Sequence, residues 1–208
     1  MNNRKPLIYV VDDDTSVCRA LSLLLKSHGF VVETFTRAAD FIAFKHSKLP
    51  SCLILDIQLP DINGLALQET MAARQFTIPI VFITGHGDIP MSVKGIKAGA
   101  VDFLTKPFTK RKLLGAITQA ISKSKTQYKK QAEISKINRR IKTLSPREME
   151  VFRLVAKGML SKQIAFKRGT ALQTIKVHRG RVMRKMRAKT VTELIDFAQI
   201  AGITSSKT

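Results

Sequence analysis

The sequence predicts two domains, an α/β domain with a doubly wound parallel sheet and, after it, a smaller domain built only of helices. Three observations lead to this prediction. Short apolar runs alternate with amphipathic helix patterns through about residue 122, as in βα repeats with a parallel sheet. Beyond residue 143 the apolar positions recur at helical spacing alone. The chain has 208 residues, which is more than a single domain usually needs and enough for two small ones.

Five strands are predicted in the first domain. The apolar run Leu53–Leu55 stops abruptly at Asp56, which is typical of a strand that is buried on both faces. The predicted strands are Leu7–Val11, Val31–Phe35, Cys52–Asp56, Pro79–Thr84 and Val101–Thr105. The predicted helices between and after them are Ser16–His28, Ala38–Phe44, one from the Asn63-Gly64 turn to about Arg74, Ile89–Ala98, and one from Thr109 to Ser122 or beyond.

Polar side chains stand at the carboxyl ends of four of these strands. In a parallel sheet these ends share one edge, so we expect Asp12, Asp13, Asp56, Thr84 and Lys106 to converge there. Carboxylates this close repel one another unless a cation lies between them. Mg²⁺ suits such oxygen ligands and bridges carboxylates to a phosphoryl group. The pattern therefore predicts Asp56 as a nucleophile that forms an aspartyl phosphate, with Lys106 and Thr84 meeting the phosphoryl oxygens.

Four sequence strings carry a family resemblance. They are VVDDD at 10–14, LILD at 53–56, FITGHGD at 82–88 and DFLTKPF at 102–108. In type, order and position, residues 5–122 resemble the receiver domain of two-component response regulators. The resemblance implies a flavodoxin-like (βα)5 fold with strand order 2-1-3-4-5. It also implies that a histidine kinase transfers a phosphoryl group to Asp56.

The same resemblance implies the roles of the residues around Asp56. Asp13, Asp56 and the backbone carbonyl of Gln58 would ligate Mg²⁺, or Mn²⁺ as the alternative ion, and Asp12 would assist through water. Thr84 and Lys106 would sense the phosphoryl group, and Phe103 would be an aromatic rotamer switch. The Lys106-Pro107 bond is expected to be cis.

Positive charge is concentrated in the second part of the chain. Residues 1–121 hold 14 Lys and Arg against 10 Asp and Glu, whereas residues 122–208 hold 22 against 5. Such a strongly basic half suggests a polyanionic partner, most simply nucleic acid, although a basic solvated surface is the alternative. No apolar run approaches the roughly 20 residues of a membrane helix, and the N-terminus lacks signal-peptide features. A cytoplasmic protein without a membrane partner is expected.

A basic segment, residues 123–142, is predicted to link the domain at 1–122 to the domain at 143–208. It contains no Pro or Gly, and Ile134, Ile137, Ile141 and Leu144 recur at helical spacing. We predict a helical linker or an extension of the preceding helix. Its apolar stripe could pack on the following domain, which is favoured because two heptads are few, or it could form a short dimerising helix.

Four helices are predicted in the second domain. Ser145, Pro146 and Glu148 have the spacing of an N-cap, an N1 proline and a capping box. Gly169 supplies a tight turn between the second and third helices, which is typical of a helix-turn-helix. The first predicted helix begins at Pro146 and ends before Gly158. The other three span Ser161–Arg168, Ala171 to Met186, and Thr190–Ala201.

The third of these helices has one apolar and one basic face. At 100° per residue, Ile175, His178, Val182 and Met186 share the side that is expected to be packed. The opposite side is mostly cationic and carries Val177. A face of this kind suits the major groove of DNA, where an aliphatic group can meet a thymine methyl.

Residues 143–202, with the strings LSPREMEVFRLVAKGM, SKQIA and TIKVHRGRVMRKM, resemble the LuxR/NarL-type DNA-binding domain. The whole chain thus resembles a FixJ/NarL-type transcriptional response regulator, with strings that lean toward the FixJ branch. The resemblance places DNA contacts on the third helix, with Lys176 and Val177 at base-contacting positions. The DNA-binding residues it suggests are Lys162, Gln173, Thr174, Lys176, Val177, Arg179, Arg181 and Arg184.

The second domain departs from the family pattern at four positions. Arg168 replaces a buried apolar residue, and Ala171 replaces the helix N-cap, so Thr170 could cap the helix one residue early. Gly180 offers no side chain for base contacts, and Arg187 replaces a glycine that ends the helix. We expect a marginally stable domain with a shifted helix end, and DNA binding that relies on phosphate contacts and falls steeply with salt.

The leading hypothesis is a phosphorylation-controlled transcription factor that is not an enzyme. Phosphorylation would change the surface of helix 89–98 and strand 101–105, through which a homodimer would form and place two recognition helices on double-stranded DNA. One alternative is a basic DNA-binding protein that does not depend on phosphorylation. Another is an aspartyl-phosphate phosphohydrolase, which ranks low because those enzymes carry the nucleophile after the first strand.

Overall fold

The computed structural model describes residues 5–47, 49–85 and 89–203. The chain divides into two compact units, and the boundary in the sequence falls between Tyr128 and Lys129. We call them the α/β unit and the helical unit. Residues 86–88, which are part of one of the strings above, lie outside the described residues. The division into 1–122, 123–142 and 143–208 stays a prediction.

The α/β unit contains a five-stranded parallel sheet with the order β2-β1-β3-β4-β5, which confirms the predicted topology. The strands are β1 (Leu7–Val11), β2 (Val31–Phe35), β3 (Ser51–Asp56), β4 (Ile80–Thr84) and β5 (Asp102–Thr105). The helices are α1 (Thr15–Ser27), α2 (Ala38–Ala43), α3 (Gly64–Ala73), α4 (Ile89–Lys97) and α5 (Lys110–Ile141), whose first part belongs to this unit.

The three central strands are buried on both faces of the sheet. Along β1, Ile8 and Val10 contribute to one hydrophobic core, and Tyr9 and Val11 contribute to the other. Every residue of β1, β3 and β4 is buried. This explains why the sequence shows continuous apolar runs here instead of alternation. Each large apolar side chain buried in this way contributes roughly 1.5–3 kcal/mol to stability.

Both cysteines lie in the α/β unit as buried free thiols. Cys52 is fully buried in β3, and this burial raises the pKa of its thiol. The Cys18 thiol, on α1, donates to the backbone carbonyl of Asp12 at 3.3 Å. Burial also raises the pKa of Cys18.

Two acidic turn residues cap helices of the α/β unit. Asp14, the N-cap of α1, accepts hydrogen bonds from the backbone N–H groups of Ser16 and Val17. Asp61 accepts from the N–H groups of Ala38 and Ala39 at the start of α2. These bonds satisfy donors that have no partner within the helix.

The helical unit has one hydrophobic core, which includes Phe152, Ile164, Ile175, Val182 and Leu194. Its helices are α6 (Pro146–Ala156), α7 (Ser161–Arg168), α8 (Leu172–Met186) and α9 (Val191–Ile200), together with the last part of α5. The predicted capping box of Ser145 and Glu148 is present at the start of α6.

The apolar stripe of the basic linker packs within the helical unit. Ile137 is 2% exposed, and Ile141 and Leu144 pack against the same core. The segment is helical, and it continues the helix that begins at Lys110. Of the two interpretations of the stripe, the structure favours packing against the following helices.

The ends of α8 correct two expectations. The helix ends at Met186, where Arg187 adopts the left-handed conformation with φ of 54°, so the helix end is not shifted. Because the backbone still turns there, an arginine occupies a conformation that favours glycine. At the other end the N-cap is Ala171, without a side-chain hydrogen bond, so Thr170 does not cap the helix one residue early.

Among the described residues, no helix combines the length and the apolar character that a membrane crossing requires.

Candidate functional sites

Three carboxylates lie together at the carboxyl edge of the sheet. One oxygen each from Asp12, Asp13 and Asp56 can be chosen so that all three lie within 4.8 Å of one another. Asp12 follows β1 and Asp56 ends β3, which are neighbouring strands. Asp12 is completely buried, Asp13 is exposed, and the Asp56 side chain is 8% exposed. The cluster is therefore closed on one side and reachable from solvent on the other.

Lys106 joins two of these carboxylates. Its Nζ atom lies 2.7 Å from Oδ2 of Asp12 and 2.7 Å from Oδ2 of Asp56. The bond between Lys106 and Pro107 is cis, as expected from the sequence. The Lys106 backbone N–H donates to the carbonyl of Thr84 at 2.7 Å, which fixes the start of the loop after β5.

Burial and charge act in opposite directions on this group of residues. Burial raises the pKa of Asp12 above its ordinary value, against the hydrogen bond and charge of Lys106. Burial alone would lower the pKa of Lys106, but its hydrogen bonds to Asp12 and Asp56 and their charges outweigh it, so that pKa is raised. Lys106 is consequently a cation at neutral pH, held between two acidic groups.

The backbone around Asp56 is tightly packed. Oδ1 of Asp56 accepts a hydrogen bond from the N–H of Gln58 at 3.0 Å. The N–H of Gly64 donates to the carbonyl of Ile57, and a Cβ atom at Gly64 would lie only 2.5 Å from the carbonyl oxygen of Asp56. The first residue of α3 can thus be only glycine without moving the end of β3. Sequence analysis placed a turn at Asn63-Gly64 but did not foresee this close approach.

Thr84 and Phe103 lie on β4 and β5, the two strands at one end of the sheet. Thr84 ends β4, is fully buried and pairs with Thr105 of β5. Phe103 is half-buried on β5, and its ring centroid lies 6.0 Å from that of Phe82. The two residues therefore belong to the same part of the sheet. Phe103 is the more exposed of the two and lies near the surface formed by α4 and β5.

The carboxylate cluster fits a hard divalent cation. Its ligand atoms are oxygens, and such ions prefer carboxylate oxygens and retain water in their remaining positions. Asp13 is exposed, so an ion could reach its carboxylate from solvent. Asp12, Asp13 and Asp56 would supply the carboxylate ligands, and the Gln58 carbonyl follows Asp56 two positions later in the chain.

The outward face of α8 is exposed and basic. The residues proposed for DNA contact that are exposed are Lys162 on α7 and Gln173, Thr174, Lys176, Val177, Arg181 and Arg184 on α8. Ile175, Val182 and Met186 are buried on the opposite side, as predicted, and His178 is half-buried. Arg179 differs from the others. It is half-buried, and its Nη1 atom donates to the hydroxyl of Ser161 at 3.0 Å, which links α8 to α7.

Arg168, one of the four departures from the family pattern, forms an ion pair. Its Nη2 atom lies 2.6 Å from Oε2 of Glu150, and both side chains are about one-third exposed. The arginine at this position is therefore charge-paired across α6 and α7 and not buried without a partner.

Comparison with known proteins covers both units. Residues 8–118 match the response regulator receiver domain, and residues 142–198 match the bacterial regulatory proteins of the luxR family. The chain is 42% identical over 204 residues to nodulation protein W of Bradyrhizobium diazoefficiens, covering 98% of this chain and 90% of that protein. It is 38% identical over 196 residues to the transcriptional regulatory protein FixJ of the same organism, covering 94% of this chain and 96% of that protein.

A solved structure shows the same likeness over nearly the whole chain. The response regulator StyR aligns with a TM-score of 0.81 at 40% identity, covering 94% of this chain and 99% of that one. The two family matches follow the sheet and the helical unit described above. The chain therefore belongs to the response regulators that combine a receiver domain with a LuxR-type DNA-binding domain and regulate transcription under the control of phosphorylation.

Proposed function

We propose that Asp56 is the residue of this regulator that accepts the phosphoryl group. The observation that carries this proposal is the position of its carboxylate, which contacts Lys106 at 2.7 Å and remains 8% exposed. Asp12 has the same contact with Lys106, but its side chain is fully buried. Asp13 is exposed, and among the described residues it has no ion pair with a lysine. Of these three carboxylates, only that of Asp56 combines access for a donor with a cation beside it.

The chemistry follows from these positions. An Asp56 carboxylate oxygen would attack phosphorus while the bond from phosphorus to the kinase histidine nitrogen breaks. That nitrogen would keep the electron pair, and a neutral imidazole would leave with the proton on its other ring nitrogen. Lys106 would neutralise charge on one phosphoryl oxygen, and the hydroxyl of Thr84 would donate to another. A bound Mg²⁺, or Mn²⁺, would reduce the repulsion between the carboxylates and the incoming phosphoryl group. Asp12, Asp13, Asp56 and the Gln58 carbonyl are the ligands we propose for it.

Phosphorylation would be transmitted to the surface formed by α4 and β5. Thr84 would move toward the phosphoryl group, and Phe103 would follow from its half-buried position. On α4, Ile89, Val93 and Ile96 are 79%, 43% and 44% exposed and recur at helical spacing, which forms an apolar stripe. A homodimer on this surface would bury the stripe and bring two recognition helices to one DNA site.

DNA would be contacted by α8 together with Lys162 of α7. Lys176 and Val177 are exposed near the start of α8, where a recognition helix meets base edges. Gln173, Thr174, Arg181 and Arg184 would contribute further base and phosphate contacts. Arg179 would act instead by positioning α8, because its guanidinium already binds Ser161.

The assignment of Asp56 can be tested with a small phosphoryl donor. Incubation with acetyl phosphate and Mg²⁺ should add one phosphoryl group to the wild type, as measured by intact-protein mass spectrometry. Asp56→Asn should not be labelled, whereas Asp40→Asn, which removes an exposed acid on α2, should be labelled as the wild type is. Equal labelling of Asp56→Asn and the wild type would contradict the proposal.

Footprinting on promoter DNA with and without the phosphoryl donor distinguishes a protein whose DNA binding depends on phosphorylation from one whose DNA binding does not. We expect protection to strengthen after phosphorylation of the wild type and to stay unchanged in Asp56→Asn. An unchanged footprint of the wild type would favour DNA binding that does not depend on phosphorylation. Multiple turnover of a small phosphomonoester would instead point to a phosphohydrolase.

A further inference from the structure

A cationic pocket lies where the end of α5 meets the end of α8. Its cavity has a volume of about 510 Å³. It is lined by Lys136, Arg139, Arg140, Thr143, Lys185 and Arg187, so five of its six residues carry a positive charge and none is acidic. We call it the α5–α8 pocket. Its α5 residues belong to the basic segment that precedes the match to the luxR family.

Direct contacts within the helical unit hold the pocket together. Ile137 is buried in the core, which fixes the direction of Lys136 and Arg139 on either side of it. Nη1 of Arg140 donates to the carbonyl of Met186 at 3.1 Å, and Nζ of Lys185 donates to the carbonyl of Thr143 at 3.0 Å. These two bonds hold the end of α8 against the end of α5 and the turn that follows it, so the backbone that carries the cationic residues is in place before any ligand arrives.

Three of the five cationic side chains make neither an ion pair nor a side-chain hydrogen bond among the described residues. Lys185 pairs with Glu148 at 2.6 Å, and Arg140 is engaged with Met186. Lys136, Arg139 and Arg187 are exposed, and in the part of the chain that the structure describes no carboxylate pairs with them. Cations without counter-charges around a cavity are suited to the phosphate groups of a polyanion.

The pocket adjoins the face of α8 that carries the other proposed DNA contacts. Arg187 follows the helix directly, and at 100° per residue its position falls on the same side as Lys176, Gly180 and Arg184. A helix in the major groove is flanked by the phosphate backbones, and residues beyond its end are near them. The position of the pocket therefore favours DNA over a small anion.

We propose that the α5–α8 pocket binds phosphodiester groups of the DNA backbone, so that the basic segment before the LuxR-type domain forms part of the DNA interface. The inference rests on the proposed contact of α8 with DNA. Lys136, Arg139 and Arg187 would neutralise phosphates beyond the groove that α8 enters. The contacts add affinity without base preference, which offsets the missing side chain at Gly180.

The test compares two double variants of the full-length chain that remove the same charges. Lys136→Gln/Arg139→Gln alters the α5–α8 pocket, and Arg153→Gln/Lys157→Gln alters exposed residues of α6 and its end, around a different cavity. Affinity for a labelled random-sequence duplex is measured by fluorescence anisotropy over a series of salt concentrations. Loss of two phosphate contacts should make the negative slope of the logarithm of the association constant against the logarithm of the salt concentration shallower by about 1.8. The control pair should keep the wild-type slope.

Several outcomes would overturn the inference. Equal loss of slope in both double variants would show a general effect of charge. Binding of inorganic phosphate that is lost in Lys136→Gln/Arg139→Gln, with the DNA slope unchanged, would assign the pocket to a free anion. Circular dichroism checks that each variant is folded, and the single variants Lys136→Gln and Arg139→Gln should each lose about 0.9 of slope. If the wild type binds no DNA, the proposed function fails, and not this inference alone.

Discussion

The Nζ atom of Lys106 lies 2.7 Å from Oδ2 of Asp56, although the two residues are 50 positions apart in the chain. The contact joins the loop after β5 to the end of β3, across the strand β4 that lies between them. Without Lys106, the carboxylates of Asp12 and Asp56 would face each other with no cation of the protein between them.

Replacing Lys106 with methionine should therefore destabilise the α/β unit at neutral pH in the absence of divalent ions. We expect a loss of about 1–3 kcal/mol in the free energy of unfolding, since two buried acids lose their counter-charge. Addition of Mg²⁺ should recover more stability in Lys106→Met than in the wild type. Urea denaturation with and without Mg²⁺ measures both effects.

Lys94→Met is the matched control, because Lys94 pairs with Glu69 on the surface, where both side chains are more than 60% exposed. Its cost should stay within about 1 kcal/mol, and it should not depend on Mg²⁺. A Lys106→Met protein as stable as the wild type without Mg²⁺ would contradict the expected role of the ammonium.

Gly64→Ala should displace the backbone that positions Asp56. The new Cβ atom would lie 2.5 Å from the carbonyl oxygen of Asp56 and 3.0 Å from Cα of Ile57, and both are backbone atoms. We expect a loss of about 1–3 kcal/mol and slower phosphorylation by acetyl phosphate, because the end of β3 or the start of α3 must shift. Gly115→Ala on α5 is the control, since nothing lies within 4 Å of its Cβ position. That variant should gain about 0.5–1 kcal/mol.

Glu148 should make the stability of the helical unit depend on acid pH. The hydrogen bond from Lys185, and then that from the N–H of Ser145, lower its pKa from the ordinary value of 4.5. A carboxyl group with a lowered pKa stabilises the fold above pH 4.5, and this stability is lost as the pH falls below that value toward the lowered pKa. Glu148→Gln should thus cost about 1 kcal/mol at neutral pH and almost nothing once the pH lies below the lowered pKa.

The measurement for Glu148 is chemical denaturation followed by circular dichroism at several pH values. The difference between the wild type and Glu148→Gln is the informative quantity, because the other acids of the chain titrate in both proteins. If that difference were the same at neutral and acid pH, the ion pair with Lys185 would not be the cause of the stability.

Arg187→Gly should stabilise the helical unit. Arg187 has a φ of 54°, which costs a residue with a side chain about 1 kcal/mol more than it costs glycine. We expect a gain of that order in thermal or urea denaturation. Arg184→Gly, with the same change of residue inside α8, should instead lose about 1 kcal/mol. Destabilisation by Arg187→Gly would mean that contacts of the arginine side chain outweigh its backbone strain.

Much of the fold could be predicted because each part leaves a local signal. The doubly buried strands β1, β3 and β4 appear as continuous apolar runs, and the capping box of Ser145 and Glu148 marks the start of α6. The convergence of Asp12, Asp56 and Lys106 could be expected as well, because parallel strands end at one edge of a sheet.

What sequence analysis missed depends on contacts between distant segments or on backbone geometry. Asp61 caps α2 from 22 or more positions away, and Gly64 approaches the backbone of Asp56. The engagement of Arg179 with Ser161 could not be predicted either, because helical angles indicate a side and not a partner. Arg187 was expected to shift the helix end, and this was wrong because a positive φ at an arginine has no sequence signal.

Because both cysteines are buried in the α/β unit, thiol reagents report on the unfolding of that unit and not of the helical unit. Alkylating reagents attack thiolates, and Cys18 and Cys52 are closed to them while this unit is folded. The helical unit has no thiol, since the chain contains only these two cysteines. A short pulse of iodoacetamide during denaturation will therefore label the molecules in which the α/β unit has unfolded, whether or not the helical unit is folded.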